Sequence, residues 1–484
     1  MGAVLVAILI VPLLASVLCI KASERLAKAT TLLSGVATFA LSLSLVASEK
    51  VTTALSSWLR ADALSVVFLV AVSFLYAATA VFSVGYVRPG DSPGETRYAR
   101  RFFAGLNLFA WAMAMTPIVN GLALLWVAVE VTTVVSALLV AIGDTDGAVE
   151  AAWKYVLIAS MGLGIALLAT VFMYYAGATV LGGSYEIFYP RLLGAATRLP
   201  PEIVRLSFGL AVVGYGTKMG LVPVHTWLPD AHSEAPTPVS ALLSGALLTV
   251  SFYAILRFYQ VSTRAVGAAF PRDVLLVFGL ASLALAALYL ASQRDLKRLF
   301  AYSSIEHMGI LAIGMSFSAP VAIIGVLLHV LAHAAAKATA FFGTGSVIAK
   351  FGTKDMDRIQ GGVGALPWSG PMLLLAVLAL CAMPPFGVFR SEFLIVEGGL
   401  SHGSTALGAV LVVLVTCAFL GVSWSASSTM LTAKPEGVAR GEVSAWMAAS
   451  MVIGLVALAV LGVHPPSQLS ALLERAAAEL GART

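Results

Sequence analysis

Apolar residues in this chain come in unbroken runs about as long as a helix needs to cross a bilayer's hydrocarbon layer, roughly 30 Å at 1.5 Å per residue. Fourteen such runs can be drawn, at residues 3–20, 29–47, 63–86, 102–118, 119–142, 152–175, 203–222, 236–258, 273–291, 301–315, 321–347, 371–396, 404–429 and 445–463. Membrane barrel strands would instead show about ten residues of in–out alternation. The pattern therefore predicts an all-α polytopic membrane protein with about fourteen transmembrane helices. The tenth run is short, and the fourth and fifth are separated only by Thr116-Pro117, where a tight turn must be hidden. The longest polar stretches, 87–101, 176–202 and 348–370, leave no room for a water-soluble domain. After His464 the tail places Leu469, Leu472, Leu473 and Leu480 among Glu474, Arg475 and Glu479, which predicts a short surface helix.

Composition agrees with that pattern. Hydrophobic residues make up 60% of the chain and charged residues 11%, against about 25% charged in an ordinary globular domain. Mean hydropathy is +0.95. The three cysteines (Cys19, Cys381, Cys417) lie in apolar runs without metal-ligand spacing and read as buried small hydrophobes. The N-terminus opens directly into apolar sequence from Val4 to Ile20 and reads as a retained first helix. The net charge of +5 implies no nucleic-acid partner; its distribution speaks to orientation. Lys and Arg favour the odd-numbered connections, from Lys21, Arg25 and Lys28 through Arg88, Arg97, Arg100 and Arg101 to Lys434 and Arg440. By the positive-inside rule those connections are cytoplasmic and both termini external.

Ionisable groups near the middle of spans carry the functional signal, because each costs about 2.5–3.5 kcal/mol at a helix centre and so faces protein or water. Glu130 sits midway along the fifth run, beside Thr132, Thr133 and Ser136. Lys218 lies among Gly214, Gly216 and Gly220, with Pro223 five residues on, so the seventh run breaks just past the lysine. A Glu130–Lys218 pair would act as a proton-affinity switch, whereas a static clamp is the plainer alternative. His225, Asp230, His232 and Glu234 follow in a polar, proline-rich stretch that could line an access route.

His329, His333 and Lys337 recur at i, i+4 and i+8, drifting only about 40° per step, and form one stripe about 12 Å long. Histidine is the natural relay at neutral pH; a haem or zinc pair lacks a further ligand set. The twelfth run is interrupted by Pro384, Pro385 and Gly387, with Arg390 and Glu392 after the break. Glu306 and His307 stand early in the tenth run, where they could gate or feed the same path. The expected picture is a line of protonatable groups on spans five, seven, eleven and twelve, parallel to the membrane plane. Two unit charges 4 Å apart interact by about 4 kcal/mol at an effective dielectric of 20, enough to couple neighbours.

At these residues the sequence resembles the antiporter-like membrane subunits shared by respiratory complex I, membrane-bound hydrogenases and multisubunit cation/proton antiporters. The strings that carry the resemblance are WVAVEVTTVVSALLV, GTKMGLVPVHTWLPDAHSEAPTPVSALLSG, RDLKRLFAYSSIEHMG, LLHVLAHAAAKATAFF and PPFGVFRSEF. It implies N-terminal helices over 1–101, two inverted five-helix repeats at 102–258 and 273–429 with broken helices seven and twelve, and a last helix with a short tail over 445–484. The essential glutamate falls on Glu130, the helix-seven lysine on Lys218, the central relay on His333 and Lys337 with His329, and the distal charge on Glu392. Glu306 and His307 join as secondary candidates. One departure stands out: where several complex I members carry a second lysine after the LLSG string, this chain has Thr249.

EAAWKY and IEHMG are most similar to the hydrogenase-4 component F group. That resemblance implies a proton-translocating subunit of a multisubunit oxidoreductase of the hydrogenase-4 or formate-hydrogenlyase type, in the cytoplasmic (inner) membrane. A complex I antiporter-like subunit or a subunit of a sodium/proton antiporter is the alternative. No cofactor is expected in this chain itself. Its partners would be other membrane subunits and a peripheral redox arm carrying iron–sulfur clusters and a [NiFe] centre.

Overall fold

The computed structural model describes residues 1–87, 92–186 and 188–482; Arg88 lies outside them. Helix follows helix. The chain opens with α1 (Gly2–Lys21) and α2 (Glu24–Leu43), a hairpin of β1 (Thr52–Ala54) and β2 (Leu59–Ala61), then α3 (Ala63–Tyr86), α4 (Pro93–Met115) and α5 (Leu122–Val140). Next come α6 (Asp146–Leu181), the short α7 (Tyr189–Ala195), α8 (Pro201–Met219), α9 (Trp227–Glu234) and α10 (Thr237–Leu242). A five-residue π turn, Leu243–Leu247, joins α10 to α11 (Leu248–Val266). The second part holds α12 (Ala269–Leu290), α13 (Leu296–Phe317), α14 (Pro320–Phe351), the single turn α15 (Gly362–Ala365), α16 (Ser369–Leu380) and α17 (Gly387–Ser401). It closes with α18 (Thr405–Met430), α19 (Ala445–Val463) and α20 (Ser467–Glu479).

Helix occupies each of the fourteen apolar runs, and the chain is an all-α polytopic membrane protein. Among the described residues, ten helical segments are long and apolar enough to cross a membrane. The segments that fall short carry charge or are interrupted. Residues 93–101 of α4 include four charged groups, α8 and α13 begin in charged turns, and the twelfth run is two helices separated by residues 381–386. The Thr116-Pro117 turn is there, as a single 3-10 turn over Thr116–Ile118. The β1–β2 hairpin has no counterpart in the sequence reading; it is too short to show a period. The tail helix α20 forms as expected, with Leu472 and Leu473 buried beneath it.

Burial sorts the helices. The segment from Thr237 to Val266 is enclosed except at its end, where Arg264 is exposed, and α3 and α14 are nearly enclosed, whereas α18 and α19 leave most of their surface open. Large apolar side chains at the rim, Leu288, Trp424 and Leu138 among them, are exposed, as a lipid-facing surface requires. Cys417 is on this rim, not buried, and Cys381 is half-buried; only Cys19 is enclosed. An apolar run in a membrane does not distinguish its protein-facing side from its lipid-facing side, which is why the cysteines were misread.

The connections separate onto two faces. On one, Lys28 Nζ donates to Val87 O (2.6 Å), Arg100 Nε to Ala22 O (2.9 Å) and Lys350 Nζ to Gly441 O (2.8 Å), while Lys354 pairs with Glu234 (2.7 Å) and Arg298 with Asp230. These are the odd-numbered connections. On the opposite face Arg257 grips Asp62 with both guanidinium nitrogens (2.9 and 2.7 Å), and Glu479 of α20 accepts from the N–H groups of Ala63 and Leu64 at the start of α3. Arg257 is therefore a buried, paired residue of α11. Stripped of Asp62 it would be a bare charge in the interior, at a cost of about 3–5 kcal/mol.

Candidate functional site: a line of buried ionisable side chains

Lys218 occupies the last turn of α8. That helix lies unusually close to α6, because a Cβ on Gly214 would stand 2.5 Å from the backbone nitrogen of Ala166. Gly220 ends α8 in the left-handed region (φ 87°), which a side chain would disfavour. The lysine is fully enclosed. Its Nζ donates to Thr133 Oγ1 (2.6 Å) and to the Tyr155 hydroxyl (2.7 Å), and lies 5.0 Å from the Tyr155 ring centroid. Ser136 Oγ shares a hydrogen bond with the same hydroxyl (2.7 Å).

Glu130 stands one turn before Thr133 on α5, half-buried. Ser160 Oγ donates to its Oε1 at 3.5 Å, and its Oε2 has no partner among the described residues. The expected direct Glu130–Lys218 ion pair is not formed. The ammonium meets α5 at Thr133, and Tyr155 of α6 takes a second donor, so neutral hydroxyls stand where a carboxylate was expected.

Beyond Lys218 the Tyr155 ring packs 4.5 Å from that of Trp227, whose indole donates to Thr217 O (2.8 Å). His232 of α9 follows, 6.4 Å from Trp227 and 5.8 Å from Phe341 between ring centroids. Its Nδ1 bonds to Leu228 O (2.8 Å), and its Nε2 has no partner among the described residues. Of the four polar residues read as an access route, His232 faces the interior. Asp230 is bound by Arg298 and Lys154, Glu234 by Lys354, and His225 is largely buried nearby.

The second cluster gathers on α13, α14 and α17. Lys337 donates to Ser303 Oγ (2.8 Å) and Phe300 O (3.0 Å). Glu306 is buried one turn after Ser303. His307 Nδ1 and His329 Nε2 are 3.1 Å apart, His329 Nδ1 reaches Ser391 Oγ at 2.9 Å, and Glu392 Oε1 lies 3.8 Å from His307 Nδ1. His333 packs 5.2 Å from His307 and 6.2 Å from His329, ring to ring, with neither nitrogen bonded among the described residues. The stripe read from α14 is thus real, and α13 and α17 complete it.

Donor atoms of His307, His329 and Glu392 all fall within 4.8 Å of one another, so these three could hold a metal ion. The imidazole–imidazole hydrogen bond accounts for their spacing without one. Arg390 turns away towards Gly462 O and lies outside the line. Thr249 spends its hydroxyl on Ala246 O (2.9 Å) within its own helix. Nearby in sequence, Ser244 of the π turn shares a hydrogen bond with Ser304 of α13 (2.7 Å).

Sequence reasoning missed Tyr155, Ser303, Ser391 and the inward aim of His232. A hydroxyl inside an apolar helix can always bond its own backbone, so only the three-dimensional neighbour gives it meaning.

Residues 119–420 match the family described as the NADH:quinone oxidoreductase/Mrp antiporter transmembrane region. The chain belongs to that family. The matched region starts just before α5 and ends inside α18, so it contains every residue of the line from Glu130 to Glu392. A hydrogenase-4 component F homolog of Methylacidiphilum infernorum is 36% identical over 380 residues, covering 75% of this chain and 79% of that one. NADH-quinone oxidoreductase subunit N of Desulforudis audaxviator is 30% identical, covering 73% and 68%. Of hydrogenase-4 component B of Escherichia coli, 30% identical, the chain spans half.

Solved structures share the fold at lower identity. A chain of the archaeal membrane-bound sulfane sulfur reductase superposes with a TM-score of 0.86 at 20% identity, over 99% of this chain and 98% of that one. A chain of respiratory complex I from Thermus thermophilus gives 0.82 at 22% identity, over 99% and 100%.

Proposed function

We propose that this chain is the proton-translocating membrane subunit of a multisubunit complex of the NADH:quinone oxidoreductase/Mrp antiporter kind. One observation carries the reading: two enclosed lysines, each hydrogen-bonded among the described residues only to neutral oxygen atoms, with three imidazoles in mutual contact beyond the second. An unpartnered buried polar atom costs about 1–3 kcal/mol. Among the described residues Glu130, His307 and Glu392 each keep one and His333 keeps two, which suits groups that exchange protons with each other and with water better than groups that only brace helices. Glu130, Lys218, Lys337, His333, His307, His329 and Glu392 are the stations, and Glu306 adjusts Lys337. Thr133, Tyr155 and Ser303 hand protons across.

In this reading the chain crosses the membrane fourteen times, as two inverted repeats at 102–258 and 273–429, with breaks after Lys218 and at 381–386. The face of the odd-numbered connections is cytoplasmic and both termini are external. Redox chemistry, where the assembly has any, resides in iron–sulfur and other metal centres of partner subunits. A hydrogenase-4 or formate-hydrogenlyase assembly with a [NiFe] centre is the narrower version, favoured by the component F homolog at 36% identity.

The test is acidification of inside-out membrane vesicles carrying the assembled complex, with and without electron donor and with sodium varied. Proton movement that vanishes in Lys218→Ala and Glu130→Gln while the complex still assembles is expected. Donor dependence marks the redox-coupled form, and donor-independent, sodium-driven exchange the antiporter. Undiminished proton movement in both variants overturns the proposal.

A further inference from the structure

A cavity of about 1040 Å³ opens between the ends of α1, α4 and α5 on the face of the odd-numbered connections. Its upper wall carries Arg97, Arg100 and Arg101; its lower wall is apolar, with Leu108, Leu138 and Leu139. Along α4 the lining runs from Thr96 to Leu108, roughly 18 Å at 1.5 Å per residue. That length takes it from the end of a membrane helix well into the hydrocarbon layer. Leu138, at 70% exposure, leaves the lower part open sideways to lipid.

Three arginines on one wall set this cavity apart on its face. Many cations elsewhere on that face have counter-ions in the chain, Glu24 for Lys28, Glu150 for Lys154, Asp230 for Arg298, Glu234 for Lys354 and Asp357 for Arg294, and others such as Lys350 bond single carbonyls; here three gather over one cavity. The three cavity arginines form no ion pair among the described residues, and Arg100 spends only its Nε, on Ala22 O. One carboxylate, Asp144, shares the lining with them. The cavity thus offers a net cationic mouth above an apolar trench.

We propose that this cavity binds an anionic glycerophospholipid, its phosphate bridged by the arginines and an acyl chain laid along Leu108, Leu138 and Leu139. Guanidinium forks match phosphate oxygens, and basic pockets between membrane helices suit such headgroups. A soluble anion would use the arginines and leave the trench empty. A zwitterionic lipid would bring its own cation to the arginines and lose most of the attraction. Neither has both complements.

The purified protein in detergent can be titrated with phosphatidylglycerol, with phosphatidylcholine and with inorganic phosphate, reading bound lipid by native mass spectrometry and thermal stability in parallel. Phosphatidylglycerol should stay bound and raise the unfolding temperature, while phosphatidylcholine and phosphate do neither. R97Q/R100Q/R101Q should weaken phosphatidylglycerol by about a hundredfold, the attraction of three basic groups compounded. Leu138→Trp fills the trench from an exposed position and leaves the arginines intact, so it should displace the lipid without unfolding the chain. Equal retention of phosphatidylcholine, a response to phosphate alone, or unchanged lipid in both variants overturns the proposal. So does loss of the cavity's solvent access on assembly, read by cysteine labelling at Leu138, since a protein helix would then be the occupant.

Discussion

The neighbourhoods of Lys218 and Lys337 solve one problem in two ways. Both enclose an ammonium group completely, and both satisfy it with a hydroxyl and a second oxygen rather than with a carboxylate. Around Lys218 the protein then closes in: two helices supply a short set of hydroxyls, and the nearest acid, Glu130, stands to one side and half open. Around Lys337 it spreads out, with Glu306, His333, His307, His329 and Glu392 following in one cluster of side chains from α13, α14 and α17. The difference teaches that a buried base needs neutral acceptors to be tolerated and other titratable groups to be useful. The first half supplies mainly the former, and the second supplies both.

That contrast is open to direct attack. Lys218→Met and Lys337→Met should each bring donor-driven vesicle acidification to background, because no other group in either neighbourhood carries a mobile cation at that point. A variant retaining more than half of the wild-type rate removes its lysine from the line. His329→Ala, which loses hydrogen bonds to both His307 and Ser391, should slow the same signal by about tenfold or more. His333→Gln, at a position with no bond to lose, should cost clearly less, and a reversed order would mean that packing, not bonding, ranks these histidines. Tyr155→Phe removes one of two acceptors from Lys218 and should cost about three- to tenfold, measured as the initial quench of a pH-sensitive dye.

The smallest effect lies outside both neighbourhoods. Burial, with Asp62 close by, pushes the Glu479 carboxyl up to about 7 from its ordinary 4.5, against the pull of Arg257 and two backbone N–H groups. Burial also raises Asp62, but Arg257 and Arg60 outweigh it and hold that carboxyl well below the usual range. Folding thus favours the proton on Glu479, and the stability that this proton contributes is complete below about pH 4.5 and fades as pH rises towards 7. Asp62 has the opposite sign: its contribution holds above about 3.8 and fades in acid. The unfolding temperature of the wild type should therefore drop slightly between pH 5 and 7, and Glu479→Gln should flatten that slope. A slope unchanged by the substitution would assign the pH response elsewhere.

Helix positions were legible from sequence because a crossing segment must be long, apolar and internally hydrogen-bonded, whatever its neighbours. Charged residues inside such segments were legible for a related reason: the bilayer makes them costly, so Glu130, Lys218, His329, His333 and Lys337 stood out individually. Partners were not. The Glu130–Lys218 pair was inferred from complementary charge, yet Thr133 and Tyr155 intervene, and choosing between them needs the distance between α5, α6 and α8. Nor does the sequence pair Arg257 with Asp62, almost two hundred positions earlier, since only the packing of α3 against α11 brings them together. Exposure was hidden as well, since Cys417 and Cys19 have equally apolar neighbours in sequence.

The π turn at Leu243–Leu247 has a geometric consequence. An extra residue in one turn advances everything after it by about 100° around the helix axis relative to an uninterrupted α-helix. Before the turn, Ser240 faces the backbone of His232 on one membrane face (2.8 Å); after it, Arg257 faces Asp62 on the other. Removing one residue would turn these two attachments out of phase, so the bulge works as a rotary spacer that lets one rod be keyed at both ends.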